Sequence, residues 1–176
     1  MRTLFRLSLF RSITGLRYAI DVFLGTLLIW LTLRSLGDRN PVWAIISLIV
    51  VCDPDISVAW PNFVSRFSNT LIGCTTGILG LFIIGAKEWL LAPLLASTIL
   101  ICTSIIKRPG SWKIAPATSA LILTSALVEN SSLIGFEQAF HRVEEVLFGS
   151  LVALLVSVVL SKIFPTSFER KNINKT

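Results

Sequence analysis

The sequence predicts an all-α membrane protein of six transmembrane helices, arranged as two three-helix repeats of inverted topology. Three observations lead there. Of the 176 residues, 53% are hydrophobic and only 15% charged, giving a mean hydropathy of +0.78, which excludes a water-soluble enzyme of this size. The apolar residues fall into long blocks nearly free of charge, as in a chain that crosses a bilayer several times. A spacing of arginine and small residues also recurs in the two halves of the chain.

Taken in order, residues 1–16 are basic and amphipathic. They read as an interfacial lead-in to an uncleaved first span, because the following apolar block is too long for a signal peptide and lacks a small-x-small cleavage site. The first span runs from Tyr18 to Leu36, with Asp21 and Arg34 near enough to its ends to reach the interface. The second, Pro41 to Cys52, holds twelve residues before Asp53-Pro54-Asp55. That is about 18 Å of helix against a hydrocarbon core of about 30 Å, so it must be broken or shielded by protein. The third runs from Arg66 to Gly85, the fourth from Trp89 to Ile106, the fifth from Ile114 to Val128 and the sixth from Glu144 to Phe164. The membrane domain therefore covers residues 17–164, and residues 165–176 form a basic cytoplasmic tail. Connections are short except for Asp53 to Ser65, where Asp53, Asp55 and Asn62 are expected as solvated caps, and Glu129 to Val143.

The 16 Lys and Arg against 10 Asp and Glu, a formal +6, would suggest nucleic acid in a soluble protein. No nucleic-acid partner is expected here, because the charges sort by side of the bilayer. With a cytoplasmic N-terminus, twelve basic residues fall on that side: Arg2, Arg6, Arg11, Arg17, Arg66, Lys107, Arg108, Lys113, Lys162, Arg170, Lys171 and Lys175. Only Arg34, Arg39, Lys87 and Arg142 fall on the other. This obeys the positive-inside rule, and six spans return the C-terminus to the cytoplasm. Trp43, Trp60, Trp89 and Trp112 lie near segment ends, as an interfacial belt requires, and Trp30 is the exception. Cys52, Cys74 and Cys102 are odd in number and embedded in apolar runs, so they read as small core residues. With His141 the single histidine, no metal or other cofactor is expected. No nucleophile, base and orienting group cluster, and His141 with Glu144 and Glu145 reads as a charged helix start, so an enzyme is not expected.

Arg66-x6-Gly73-x3-Gly77 in the third segment returns as Arg142-x6-Gly149-x3-Ala153 in the sixth, seventy-six residues later. Pro41 opens the short second segment and Pro116 lies near the start of the modest fifth. Each half then reads as helix, short Pro-led helix, Arg-headed small-residue helix. Three spans is an odd number, so two such units in tandem have opposite orientations, an arrangement common among transporters. Gly73, Gly77, Gly149 and Ala153 are expected to serve close helix packing. Arg66 and Arg142, each heading its helix on opposite sides of the membrane, would put positive potential at both mouths of a central path and favour an anionic solute. The competing reading is that each snorkels or pairs locally, Arg142 with Glu144 or Glu145. Asp21, four residues after Arg17, is either half of an interfacial ion pair or a proton-carrying carboxylate. Thr70, Thr75, Thr76, Thr118, Ser119, Thr124 and Ser125 either line a polar path or bond their own backbone.

Pro41-Val42-Trp43-Ala44, Arg66-x3-Thr70-x2-Gly73-x3-Gly77 and Arg142-x2-Glu145-x3-Gly149-x3-Ala153 together resemble the fusaric acid resistance and aromatic acid exporter superfamily, with the plant malate-channel family a more distant relative. The resemblance covers Arg17 to Phe164. It implies a six-helix domain of the bacterial inner membrane that works as an oligomer, expected to be a dimer, and moves small organic anions such as aromatic carboxylates outward. Arg66 and Arg142 match the family's recurrent helix-leading basic positions, and Asp21, Thr70 and Glu145 complete the expected substrate path. Many relatives carry a second membrane domain or a large cytosolic one. The alternative expectation is therefore a non-transporting accessory subunit that packs against a larger partner.

Overall fold

A computed structural model describes the backbone of residues 2–37, 40–106 and 111–163, and the side chains of residues 14–37, 40–106 and 112–163. Arg39, Lys107, Arg108, Phe164 and the expected tail 165–176 lie outside the described residues, as do the side chains of the expected lead-in up to residue 13. The described backbone forms helices α1 (Arg2–Ser35), α2 (Val42–Val51), α3 (Ile56–Ile84), α4 (Leu91–Ile105), α5 (Ile114–Val128) and α6 (Ser132–Ile163). Short 3-10 turns, Glu88–Leu90 and Ser111–Lys113, lead into α4 and α5. Thr14–Ser35, Ile56–Ile84, Glu88–Ile105 and Ser132–Ile163 are long and apolar enough to cross a membrane. Helices α2 and α5, of 10 and 15 residues, reach only about 15 and 22 Å.

The ends of α2, α4 and α5 fall where the sequence places them, whereas α3 and α6 begin ten and twelve residues earlier than expected. The two stretches read as long connections are largely helical. At the first, the Asp55 carboxylate accepts the Ser57 N–H at 2.9 Å and the Ser57 hydroxyl at 2.7 Å, while its carbonyl accepts from Val58 and Ala59. This acidic cap satisfies the first orphan donors and starts the helix before the polar stretch ends. At the second, Asn130 adopts φ 50°. Ser131 N–H then donates to Ala126 C=O, and Asn130 N–H to Leu127 C=O, a Schellman closure of α5 that lets α6 start at once. The first turns of α6 are amphipathic rather than apolar. Gly135, Ala139 and Arg142 are buried, while Glu137, Gln138, His141 and Glu144 are exposed. A hydropathy average misses such a helix because its apolar face is only a stripe.

The helices group into two units. The first comprises Met1–Phe63 with Phe148–Thr176, that is α1, α2, the opening turns of α3 and the second half of α6. Its core gathers Ile29, Leu48, Val51, Val152, Ala153 and Val156. Along α1 a row of spacing four is buried, Arg17, Asp21, Gly25 and Ile29, and Gly25 leaves room for the Leu48 side chain. Gly149 of α6 lies directly on the Ala44 carbonyl of α2, so that a Cβ at this position would overlap backbone.

The second unit, Val64–Leu147, holds the rest of α3, α4, α5 and the first half of α6. Cys74, Leu81, Leu94, Ile122, Leu123, Ala126 and Ala139 form its core. Gly73 of α3 lies on the Ala115 carbonyl of α5, and Gly77 abuts Ile122, where an added Cβ would sit 3.2 Å from that side chain. Throughout the described residues, apolar side chains such as Phe23, Phe82 and Leu133 point outward, while Asp21, Asn69, Thr98, Ser119 and Ser157 are buried. That inversion suits a chain whose surrounding medium is lipid tail, against which apolar groups have no reason to hide. Trp60 and Trp89 are exposed near helix starts, and the Arg34 guanidinium lies over the Trp30 ring, 5.6 Å from its centroid.

Candidate functional site

The buried polar side chains of the second unit collect along one face of α3. Arg66 lies ten residues after the start of α3, and Arg142 ten residues after the start of α6. Each is only 4% exposed. The positive charge of Arg66 acts on Arg142, as do Glu145 and the Cys74 thiol. One turn along α3 from Arg66, the Asn69 side chain donates to the Ser65 carbonyl at 2.6 Å and accepts from the Cys102 thiol at 2.9 Å, which ties α3 to α4. Thr70 donates to the Arg66 carbonyl at 3.0 Å. Two turns further on, the Thr98 hydroxyl oxygen lies 3.0 Å from that of Thr76 and 3.4 Å from that of Ser119, and it donates to the Leu94 carbonyl at 2.7 Å. A buried hydroxyl cluster thus joins α3, α4 and α5.

This geometry differs from the arrangement expected of the arginines. They do not head their helices, because both helices begin earlier, and each sits about 15 Å from its helix N-terminus, beyond the first turn where the macrodipole acts. Instead of marking two separate mouths, both charges belong to one unit and act on each other. Glu145, half-buried, is the carboxylate within reach of Arg142. Glu144 points outward beside His141, which is 3.9 Å from it and 3.9 Å from Glu137. The hydroxyls of Thr70, Thr75, Thr76, Thr118 and Thr124 all donate to carbonyls of their own helices.

Gly73, Gly77, Gly149 and Ala153 lie at helix contacts, the first three against Ala115, Ile122 and Ala44 and the last fully buried in the first unit's core. The three cysteines are buried free thiols. Cys74 approaches the Ala139 carbonyl at 3.6 Å, and Cys52 the Ser157 hydroxyl at 3.5 Å. Among the described residues no three His, Cys, Asp or Glu side chains gather as metal ligands would.

The first unit has its own polar centre around Asp21, which is 0% exposed. Arg17, Asp53 and Cys52 are within electrostatic reach of it. Nearby, the Tyr18 hydroxyl donates to the Ile49 carbonyl at 3.0 Å, pinning α1 to α2. Ser157, Asn69 and Thr98 were not singled out by sequence, and Asp53 was expected as a solvated cap rather than a neighbour of Asp21. Asn69 and Thr98 each fall on a row of buried positions three or four apart, the one available signal for them.

Over residues 24–156, more than half of the chain, the sequence matches the family of fusaric acid resistance protein-like proteins. The chain belongs to this family. No curated protein and no solved structure matches it. The matched stretch of this fusaric acid resistance protein-like chain includes Arg66, Thr70, Arg142, Glu145 and the four small packing residues, whereas Arg17 and Asp21 precede it. With four helices long and apolar enough to span a bilayer, it is a multi-pass membrane protein.

Proposed function

We infer that this chain is a transporter of small organic anions, such as aromatic carboxylates, working as a homodimer in a bacterial inner membrane. The observation that carries the reading is the pair of buried arginines in the second unit, each ten residues into a long helix. A guanidinium stays charged in any protein environment and offers a carboxylate two parallel N–H donors. Two of them with one half-buried glutamate, Glu145, leave a net positive charge in a low-dielectric setting, which an entering carboxylate would neutralise. Family membership supports transport as the activity and argues against an enzyme.

Six crossings require α2 and α5 to span a bilayer thicker than either, which is feasible only where protein shields their ends. Close contacts at Gly149–Ala44 and Gly73–Ala115 support such shielding. The same contacts, together with the equal ten-residue offsets of the arginines, support two inverted three-helix repeats. Leaving aside the buried Arg66 and Arg142, the basic residues divide eleven to three between the two sides, which supports cytoplasmic N- and C-termini.

The purified chain in liposomes should move benzoate down its gradient. Arg66→Ala and Arg142→Ala should each reduce that flux about ten- to a hundredfold, the loss of one charge-assisted contact of about 1.5–3 kcal/mol. Wild-type vesicles no more permeable than empty ones, or alanine variants as active as the wild type, would overturn the reading.

A further inference from the structure

The arginine pair leaves the polar centre of the first unit without a role. There the Asp21 carboxyl is 0% exposed, and neither of its oxygens has a hydrogen-bond partner among the described residues. An ionised carboxylate can only accept hydrogen bonds, and in a low-dielectric interior it keeps its charge at high cost without donors around it. The charges that act on Asp21 are Arg17, one turn earlier on α1, and Asp53, just beyond the end of α2. From α2 the Cys52 thiol also faces this group, and from α6 the uncharged Ser157 lies 3.5 Å from that thiol.

With both carboxylates ionised, this centre holds two negative charges and one positive; one added proton makes it neutral. The proton belongs on Asp21 rather than Asp53. Asp53 is half-buried and its Oδ1 already accepts the Asp55 N–H at 2.8 Å, whereas Asp21 is fully buried and has no such donor among the described residues.

We propose that Asp21, in the cluster it forms with Arg17, Asp53, Cys52 and Ser157, is a proton-binding site whose loading and unloading drives movement of the organic anion. The step is a simple protonation. An Oδ of Asp21 forms an O–H bond with a proton from the aqueous phase, no other bond changes, and release reverses it. The coupling rests on the transport reading above, whereas the proton site does not. Protonation also removes the repulsion between Asp21 on α1 and Asp53 just beyond α2, so α1 and α2 are held by different forces in the two forms.

The test uses the full chain in liposomes with two readouts. Infrared difference spectra between alkaline and acidic buffer should show the C=O stretch of a protonated carboxylic acid. The band should vanish in Asp21→Asn, shift in Asp21→Glu and weaken in Asp53→Asn, where Arg17 alone balances an ionised Asp21. In parallel, an imposed pH gradient should drive benzoate accumulation in wild type. Asp21→Asn should lose that accumulation to the level of empty vesicles while still exchanging benzoate for benzoate, whereas Arg66→Ala loses both. An infrared band unchanged in Asp21→Asn would show that Asp21 stays ionised as a fixed partner of Arg17, and would overturn the proposal. So would gradient-driven accumulation that survives the substitution. If wild type moves no benzoate but the band depends on Asp21, the anion-transport reading fails and the proton site stands. Should Asp21→Asn not fold, the shifted band of Asp21→Glu decides.

Discussion

In the first unit Gly149 of α6 rests on the Ala44 carbonyl of α2, and in the second Gly73 of α3 rests on the Ala115 carbonyl of α5. Both are places where a long helix carries a glycine so that its backbone can approach a short helix that begins at or near a proline, Pro41 or Pro116. The two interiors, however, hold charge of opposite sign. Asp21 and Asp53 outnumber Arg17 in the first, and Arg66 and Arg142 outnumber Glu145 in the second. One packing device therefore serves two electrostatic environments, which implies that the glycines secure the fold and that the charges are free to be specialised.

The sharpest way to break this comparison is to add a methyl group at each contact. Gly149→Ala and Gly73→Ala should each cost about 1–3 kcal/mol, because backbone rather than a flexible side chain stands in the way. Thermal unfolding in detergent measures this. A large loss at one site and none at the other would end the equivalence, and Gly77→Ala, which meets only the Ile122 side chain, should cost less than either.

The separation of fold from charge is tested next by Arg142→Met. The substitution removes the repulsion from Arg66 but leaves half-buried Glu145 without its neighbouring cation, so stability should fall by less than the roughly 3–5 kcal/mol that breaking a fully buried pair costs. Benzoate flux should nonetheless fall at least about tenfold, equivalent to about 1.4 kcal/mol. A variant that unfolds instead would assign Arg142 to structure.

A smaller effect is expected at the hydroxyl cluster, which has no counterpart among the described hydrogen bonds of the first unit. Thr98→Val leaves Thr76 and Ser119 without their shared neighbour and should cost about 1 kcal/mol, read from the same melting curves. The smallest effect should be at Gly15, which is helical and meets nothing within 4 Å. Gly15→Ala should stabilise by about 0.5–1 kcal/mol, visible as a slight rise in melting temperature, and calibrates the losses at Gly73 and Gly149.

Much of this molecule can be read from the chain alone. The bounds of α2, α4 and α5 are marked by Pro41, Pro54, the Lys107-Arg108-Pro109-Gly110 sequence after Ile106 and the polar run after Val128, features that end a helix locally whatever surrounds it. The starts of α3 and α6 are not legible from hydropathy, since their opening turns bury one narrow stripe and expose the rest. Among the polar residues, Arg66, Arg142 and Asp21 stand out by their rarity in apolar surroundings. Their partners do not stand out, because Asp53, Cys52 and Ser157 come from three places in the sequence and meet only when α1, α2 and α6 pack.

Residue type and spacing by themselves therefore determined the membrane class, the family, the two short helices and the glycine positions, since each depends on local composition or on contacts along one helix. Only tertiary structure decided that the two arginines share a unit and that Asp21 is fully buried beside a second carboxylate. Charge interacts through space and not along the chain, and ten extra residues of helix at Ile56 and Ser132 were enough to carry Arg66 and Arg142 from helix ends to helix interiors.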